Sequence, residues 1–98
     1  MKFLCICTRG NVRSVAMAQY IKEMNGYRKV EQIKHEAIAI SAKDLTSETK
    51  KMLKEWADIK IDMRDYLPKD LWHNPRHPEL RKKVEEIWKG LAVKLHFA

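Results

Sequence analysis

Phe3-Leu4-Cys5-Ile6-Cys7-Thr8-Arg9-Gly10-Asn11-Val12-Arg13-Ser14 is the stretch that decides the fold of this chain. An apolar run breaks at Thr8 into a short loop, and Ser14-Val15-Ala16-Met17-Ala18-Gln19-Tyr20 continues as a helix former. Strand, anion-sized loop and helix start follow one another without a spare residue. A loop entering a helix aims successive backbone N–H groups at one spot, where the helix dipole also favours negative charge. A cysteine at the mouth of such a loop is stabilised as its thiolate, and Cys7 holds that position.

Working outward, residues 2–7 read as a buried first strand, continuously apolar as a central parallel strand should be. The first helix is expected from about Ser14 to Met24, with Asn25-Gly26 as its stop. Residues 36–42 form a second strand. Thr46 or Ser47 then N-caps a second helix, whose Leu45, Thr49, Met52, Leu53 and Trp56 share one face. A third strand is expected at about Ile59–Met63. From Arg64 to His77 periodicity fails and Pro68 and Pro75 intervene, so this segment reads as a functional loop with room for a short strand or turn inside it. Pro78 suits the first turn of a closing helix that keeps Leu80, Val84, Ile87, Trp88, Leu91 and Leu95 in helical spacing. Strands alternating with helices imply an α/β protein, a three-layer fold around a short central parallel sheet. Right-handed crossovers give the strand order 2-1-3, with a fourth strand left open. The Cys7 loop then lies at the carboxyl end of the central strand, where such sheets bind ligands.

The 98 residues suffice for one domain, spanning 1–98, with one modest core. Hydrophobic residues make up 45% and charged residues 34%, the balance of an ordinary globular protein and not of a disordered one. Apolar stretches fall short of a membrane span and the amino terminus lacks a signal-peptide layout, so a cytoplasmic protein without a membrane partner is expected. Cys5 is assigned to the core on the strand face away from Cys7, and no disulfide between the two is expected. Twenty Lys and Arg against thirteen Asp and Glu give a formal net charge of +7, which attracts anionic partners. Nucleic acid is admitted by that charge, but no aromatic-rich motif, zinc-spaced Cys/His set or basic tail supports it.

Phosphoryl transfer from a monoester needs a nucleophile, compensation for three phosphate oxygens and a proton for the leaving group. Cys7 is the candidate nucleophile, forming a phosphocysteine. Five residues separate it from Arg13, whose planar fork grips two phosphoryl oxygens at once. The segment Thr8, Arg9, Gly10, Asn11, Val12, Arg13 and Ser14 is the candidate phosphate cradle. Gly10 takes the positive φ that a ring of amides requires, and Asn11 tolerates it too. The Ser14 hydroxyl is placed to donate to the Cys7 sulfur.

Phe3 to Ile21, with its Cys-x5-Arg-Ser motif near the start of the chain, resembles the low-molecular-weight protein tyrosine phosphatase family. Ser41-Ala42 is similar to that family's Ser-Ala-Gly segment, and Trp56-Ala57-Asp58 with the strand behind it to its Ala-Asp-hydrophobic segment. The likeness covers about the first two-thirds of the chain. It implies a flavodoxin-like fold, a two-step reaction through phosphocysteine without a cofactor, and a phosphorylated protein or small phosphomonoester as substrate. It also implies that Ser41 braces the loop through Ser14 or Asn11.

The chain departs from the family in three ways. Gly10-Asn11 follow the cysteine one place late, and Arg9 adds a charge beside the pocket. The family's late Asp-Pro, whose aspartate protonates the leaving oxygen, is missing; Asn74-Pro75 is the nearest dipeptide, and an asparagine is no acid. Asp70 is therefore the candidate general acid, with Asp65, His73 and His77 behind it, and Tyr66 or Trp72 could wall the pocket. The chain is also short after the third strand, which leaves a sheet edge and makes either a monomer or a weak homodimer compatible with it. Two rivals stand beside the phosphatase reading. One is a weak or inactive module that binds phosphate or nucleic acid on the same fold. The other is an arsenate reductase, which needs more cysteines than the two present.

Overall fold

The computed structural model describes residues 1–8, 12–26, 36–42, 46–69 and 71–95. In chain order the elements are β1 (Lys2–Cys7), α1 (Arg13–Gly26), β2 (Glu36–Ser41), α2 (Ser47–Trp56), β3 (Ile59–Asp62), α3 (Met63–Tyr66) and α4 (Pro78–Leu95). The three strands form a parallel sheet in the order β2-β1-β3. β1 is central because its neighbours cover both edges: Cys7 pairs with Ser41 of β2, and Ile6 with Asp62 of β3. Helices flank this sheet, giving a small three-layer α/β fold. No helix among the described residues is long and apolar enough to cross a membrane.

From Phe3 to Cys7 the strand is buried at every residue, which is why it reads as an unbroken apolar run and not as an alternation. Its two faces nevertheless serve different layers. Phe3, Cys5 and Cys7 join the main core with Ala16, Met17 and Ile21 of α1 and Leu80, Val84, Trp88 and Leu91 of α4. Leu4 and Ile6 line the opposite side, toward Leu53 of α2. A pleated strand has a side-chain period of two, so Cys5 and Cys7 share a face. The expectation that they face apart is overturned; both are buried free thiols.

Boundaries shift by a residue or two from the sequence reading. α1 starts at Arg13, its first turn closed by the Ala16 N–H bonding the Val12 carbonyl at 2.8 Å. Thr46 stands just before α2, and its carbonyl accepts from the Lys50 N–H at 2.9 Å. The irregular segment from Arg64 onward opens within one helical turn, α3. Asp62 caps that turn by accepting from the Arg64 N–H at 3.1 Å, a local bond that hydrophobic periodicity does not reveal.

α4 packs on α1 and runs back toward the site. Arg81, at the end of its first turn, pairs with Glu23 near the far end of α1, while α1 begins beside Cys7. Trp88 ties three elements together, with ring centroids 5.4 Å from Phe3 and 6.4 Å from Tyr20.

Candidate active site

β1 ends at Cys7 and α1 begins at Arg13, so the sheet and the helix dipole converge on the segment between them. Cys7 is 2% exposed and its Sγ lies 3.1 Å from the buried Ser14 Oγ, in hydrogen-bond contact. With Cys7 ionised, the serine hydroxyl is the donor. Ser14 reaches the sulfur because it sits in the first turn of α1, one place beyond the helix start.

Arg13 is 3% exposed, and its burial is compensated by acceptors. Its Nη1 donates to the Leu67 carbonyl at 2.6 Å and its Nη2 to Thr8 Oγ1 at 3.4 Å. The guanidinium is thereby held between the loop after β1 and the chain leaving α3. β2 braces the other side: Ser41 Oγ donates to the Thr8 carbonyl at 2.8 Å, and the Ala42 N–H to the Cys7 carbonyl at 2.9 Å. Ser41 thus steadies the loop through the Thr8 backbone.

A second charged group stands nearby. Arg64 bonds Asp62 with Nε at 2.9 Å and Nη2 at 2.6 Å, and that hydrogen bond, more than any other influence, raises its guanidinium above the ordinary arginine value. The hydrogen bond from Arg64, more than any other influence, holds the Asp62 carboxyl below its ordinary range, so Asp62 is a poor proton donor. Cys5 behaves oppositely to a nucleophile. Burial pushes its thiol up to about 12; Lys22 lowers it and Cys7 raises it by smaller amounts.

Of the residues predicted from sequence, Cys7, Thr8, Arg13 and Ser14 come together. Val12 turns its side chain into the core, leaving only its backbone for the cradle. Arg9, Gly10, Asn11 and Asp70 lie outside the described residues. Asp65 is exposed on α3, two residues before the Leu67 that holds Arg13. His73 is exposed, and its neighbour Trp72 is buried in the core that includes Leu80 and Trp88, so Trp72 does not wall a pocket. His77 is far away. Its carbonyl accepts from the Arg81 N–H, and Arg81 pairs with Glu23, ten residues along α1 from Arg13 or about 15 Å. Its Nδ1 accepts from the Glu79 N–H at 3.2 Å, capping α4. Asn74-Pro75 is a turn, with Asn74 accepting from the N–H groups of Arg76 and His77.

Two contributors escaped the sequence reading. The Leu67 carbonyl is a backbone atom and carries no residue signature. Asp62, directly after a strand and before a polar turn, did carry the signature of a cap. Among the described residues, no three His, Cys, Asp or Glu side chains gather as a metal site. No family model, no curated protein and no solved structure matches this chain.

Proposed function

We propose that the chain is a cysteine-dependent phosphomonoester hydrolase, acting on phosphotyrosine in proteins through a phosphocysteine intermediate. The observation that carries this reading is the 3.1 Å contact between Cys7 Sγ and Ser14 Oγ at the head of α1, with the Arg13 guanidinium fixed on the same segment. Cys7 Sγ attacks phosphorus and the ester oxygen departs with a proton from the general acid. Arg13 and the loop amides hold the three equatorial oxygens as charge spreads over them. Water then attacks the phosphocysteine, releasing phosphate, and the Ser14 hydroxyl stabilises the departing thiolate.

The acid comes from the segment around Leu67. Asp65 precedes Leu67 by two residues and Asp70 follows it by three, a reach of about 10 Å at most. Asp70 remains the first choice and Asp65 the second, while His77, at the far end of α1, is set aside. An arsenate reductase is disfavoured because neither cysteine is at the surface, where oxidation would have to be passed on. The need for a reduced Cys7 agrees with a cytoplasmic setting.

Turnover of p-nitrophenyl phosphate and of a phosphotyrosine peptide tests the proposal, with Cys7→Ser as control. Both should be hydrolysed by the parent and neither by the variant. Asp70→Asn should slow the peptide by about 10²–10⁴-fold while sparing the activated ester, whose leaving group needs little help. Binding of phosphate or nucleic acid without turnover of either ester would establish the binding module instead.

A further inference from the structure

Beside the candidate site lies an open groove of about 480 Å³, between the chain leaving α3 and one stripe of α4. Its floor is apolar, made by Leu67, Ile87 and Leu91, and its ends are marked by Lys83 and Lys94. Leu67 joins groove to site, since its carbonyl holds the Arg13 guanidinium at 2.6 Å.

We infer that this groove receives the polypeptide flanking the phosphorylated residue, and that it prefers apolar and acidic side chains there. The inference rests on the phosphatase reading and specifies its substrate class. Four observations converge on it. Lys83 to Lys94 spans eleven residues of helix, about 16 Å, the length of about five extended residues. Neither lysine is paired with an acidic side chain among the described residues, and Glu86 is the lone carboxylate of the lining. Tyr66, 46% exposed, stands at the rim as an aromatic contact.

The fourth observation is Gly90. It sits within α4, where glycine is the poorest helix former after proline. A Cβ built on it would meet nothing within 4 Å, so packing inside the chain does not require a glycine there. Its missing side chain instead keeps the middle of the groove clear for a peptide backbone to approach.

Gly90→Leu starts from a position where a Cβ meets nothing within 4 Å, directs a side chain into the groove and keeps a good helix former, so it tests the groove apart from the fold. The experiment measures kcat/KM of parent and variant on p-nitrophenyl phosphate and on phosphotyrosine peptides with acidic or neutral flanks. It also measures the affinity of both proteins for the acidic peptide carrying a non-hydrolysable phosphonate. Gly90→Leu should lower kcat/KM and affinity for the acidic peptide by about tenfold and leave p-nitrophenyl phosphate unchanged. Lys83→Glu with Lys94→Glu should erase the preference for acidic over neutral flanks. Equal peptide affinity in parent and Gly90→Leu overturns the groove assignment. Absence of p-nitrophenyl phosphate turnover in the parent overturns the hydrolase reading instead, and the affinity comparison still judges the groove.

Discussion

Cys5 and Cys7 occupy one strand face two residues apart, yet their surroundings differ, and the proposed function needs Cys7 to be the reactive thiol and Cys5 the inert one. Burial pushes Cys5 up to about 12, with Lys22 opposing only in part, so at neutral pH it stays protonated. Cys7 meets a hydroxyl, a helix start and the field of Arg64. Iodoacetate at pH 7 should therefore label one cysteine per chain, found at Cys7 by peptide mass mapping, and vanadate should protect it. Labelling of Cys5 at a comparable rate would contradict this division. Ser14 allows a sharper experiment. A hydrogen bond to a charged sulfur contributes about 1.5–3 kcal/mol, so Ser14→Ala should slow breakdown of phosphocysteine by about 10–100-fold. Stopped-flow kinetics would show it as a burst of p-nitrophenol followed by slow turnover, whereas unchanged steady-state turnover would remove Ser14 from the mechanism. The sequence displayed both residues because a side-chain motif carries them. It did not display Leu67, which acts through a carbonyl oxygen, and the facing of Cys5 was legible but misjudged, since strand periodicity alone puts positions 5 and 7 together.

At the scale of elements, β1 was legible as an unbroken apolar run and α4 by its helical spacing, and α3 was not because a four-residue turn has no period to read. What makes α3 is a cap. Asp62 accepts from the Arg64 N–H and pairs with the Arg64 side chain. Asp62→Ala should cost about 1 kcal/mol in denaturant unfolding and loosen the segment that presents Leu67 to Arg13. The sign of its pH dependence follows from the lowered carboxyl of Asp62. A group depressed on folding stabilises fully above its unfolded value, near 3.9, and that stability fades as pH falls through the folded value. Parent and Asp62→Asn stability curves should therefore converge in acid below about pH 4 and separate above it. α4 carries the opposite opportunity. Gly90→Ala replaces a poor helix former where a Cβ has room, and should raise stability by about 0.5–1 kcal/mol, a melting shift of a few degrees.

Over the whole molecule, a three-stranded sheet offers little apolar surface, so the structure depends on one helix to close it. α4 contributes Leu80, Val84, Trp88 and Leu91 to the same core that holds Phe3 and Cys7. It reaches that core only after a long segment without regular periodicity, which explains why its pairing with α1 was not readable from the chain. The contact depends on Arg81 meeting Glu23 and on Trp88 packing against Phe3 and Tyr20, partners distant in sequence. Trp88 is the point at which these connections meet, and it is 4% exposed. Truncating a buried tryptophan to alanine costs about 3–5 kcal/mol, a large part of the roughly 5–15 kcal/mol that holds a domain folded. Because β1 carries both Phe3 and Cys7, the damage extends to the site: as the α1–α4 layer loosens, Arg13 and Ser14 lose their fixed positions relative to the sulfur. Trp88→Ala should thus lower the urea midpoint and vanadate affinity together, whereas Trp88→Phe, keeping an aromatic ring between Phe3 and Tyr20, should recover most of both. A Trp88→Ala protein that melted early but bound vanadate as tightly as the parent at low temperature would show that the cradle is held by β2 and α3 alone.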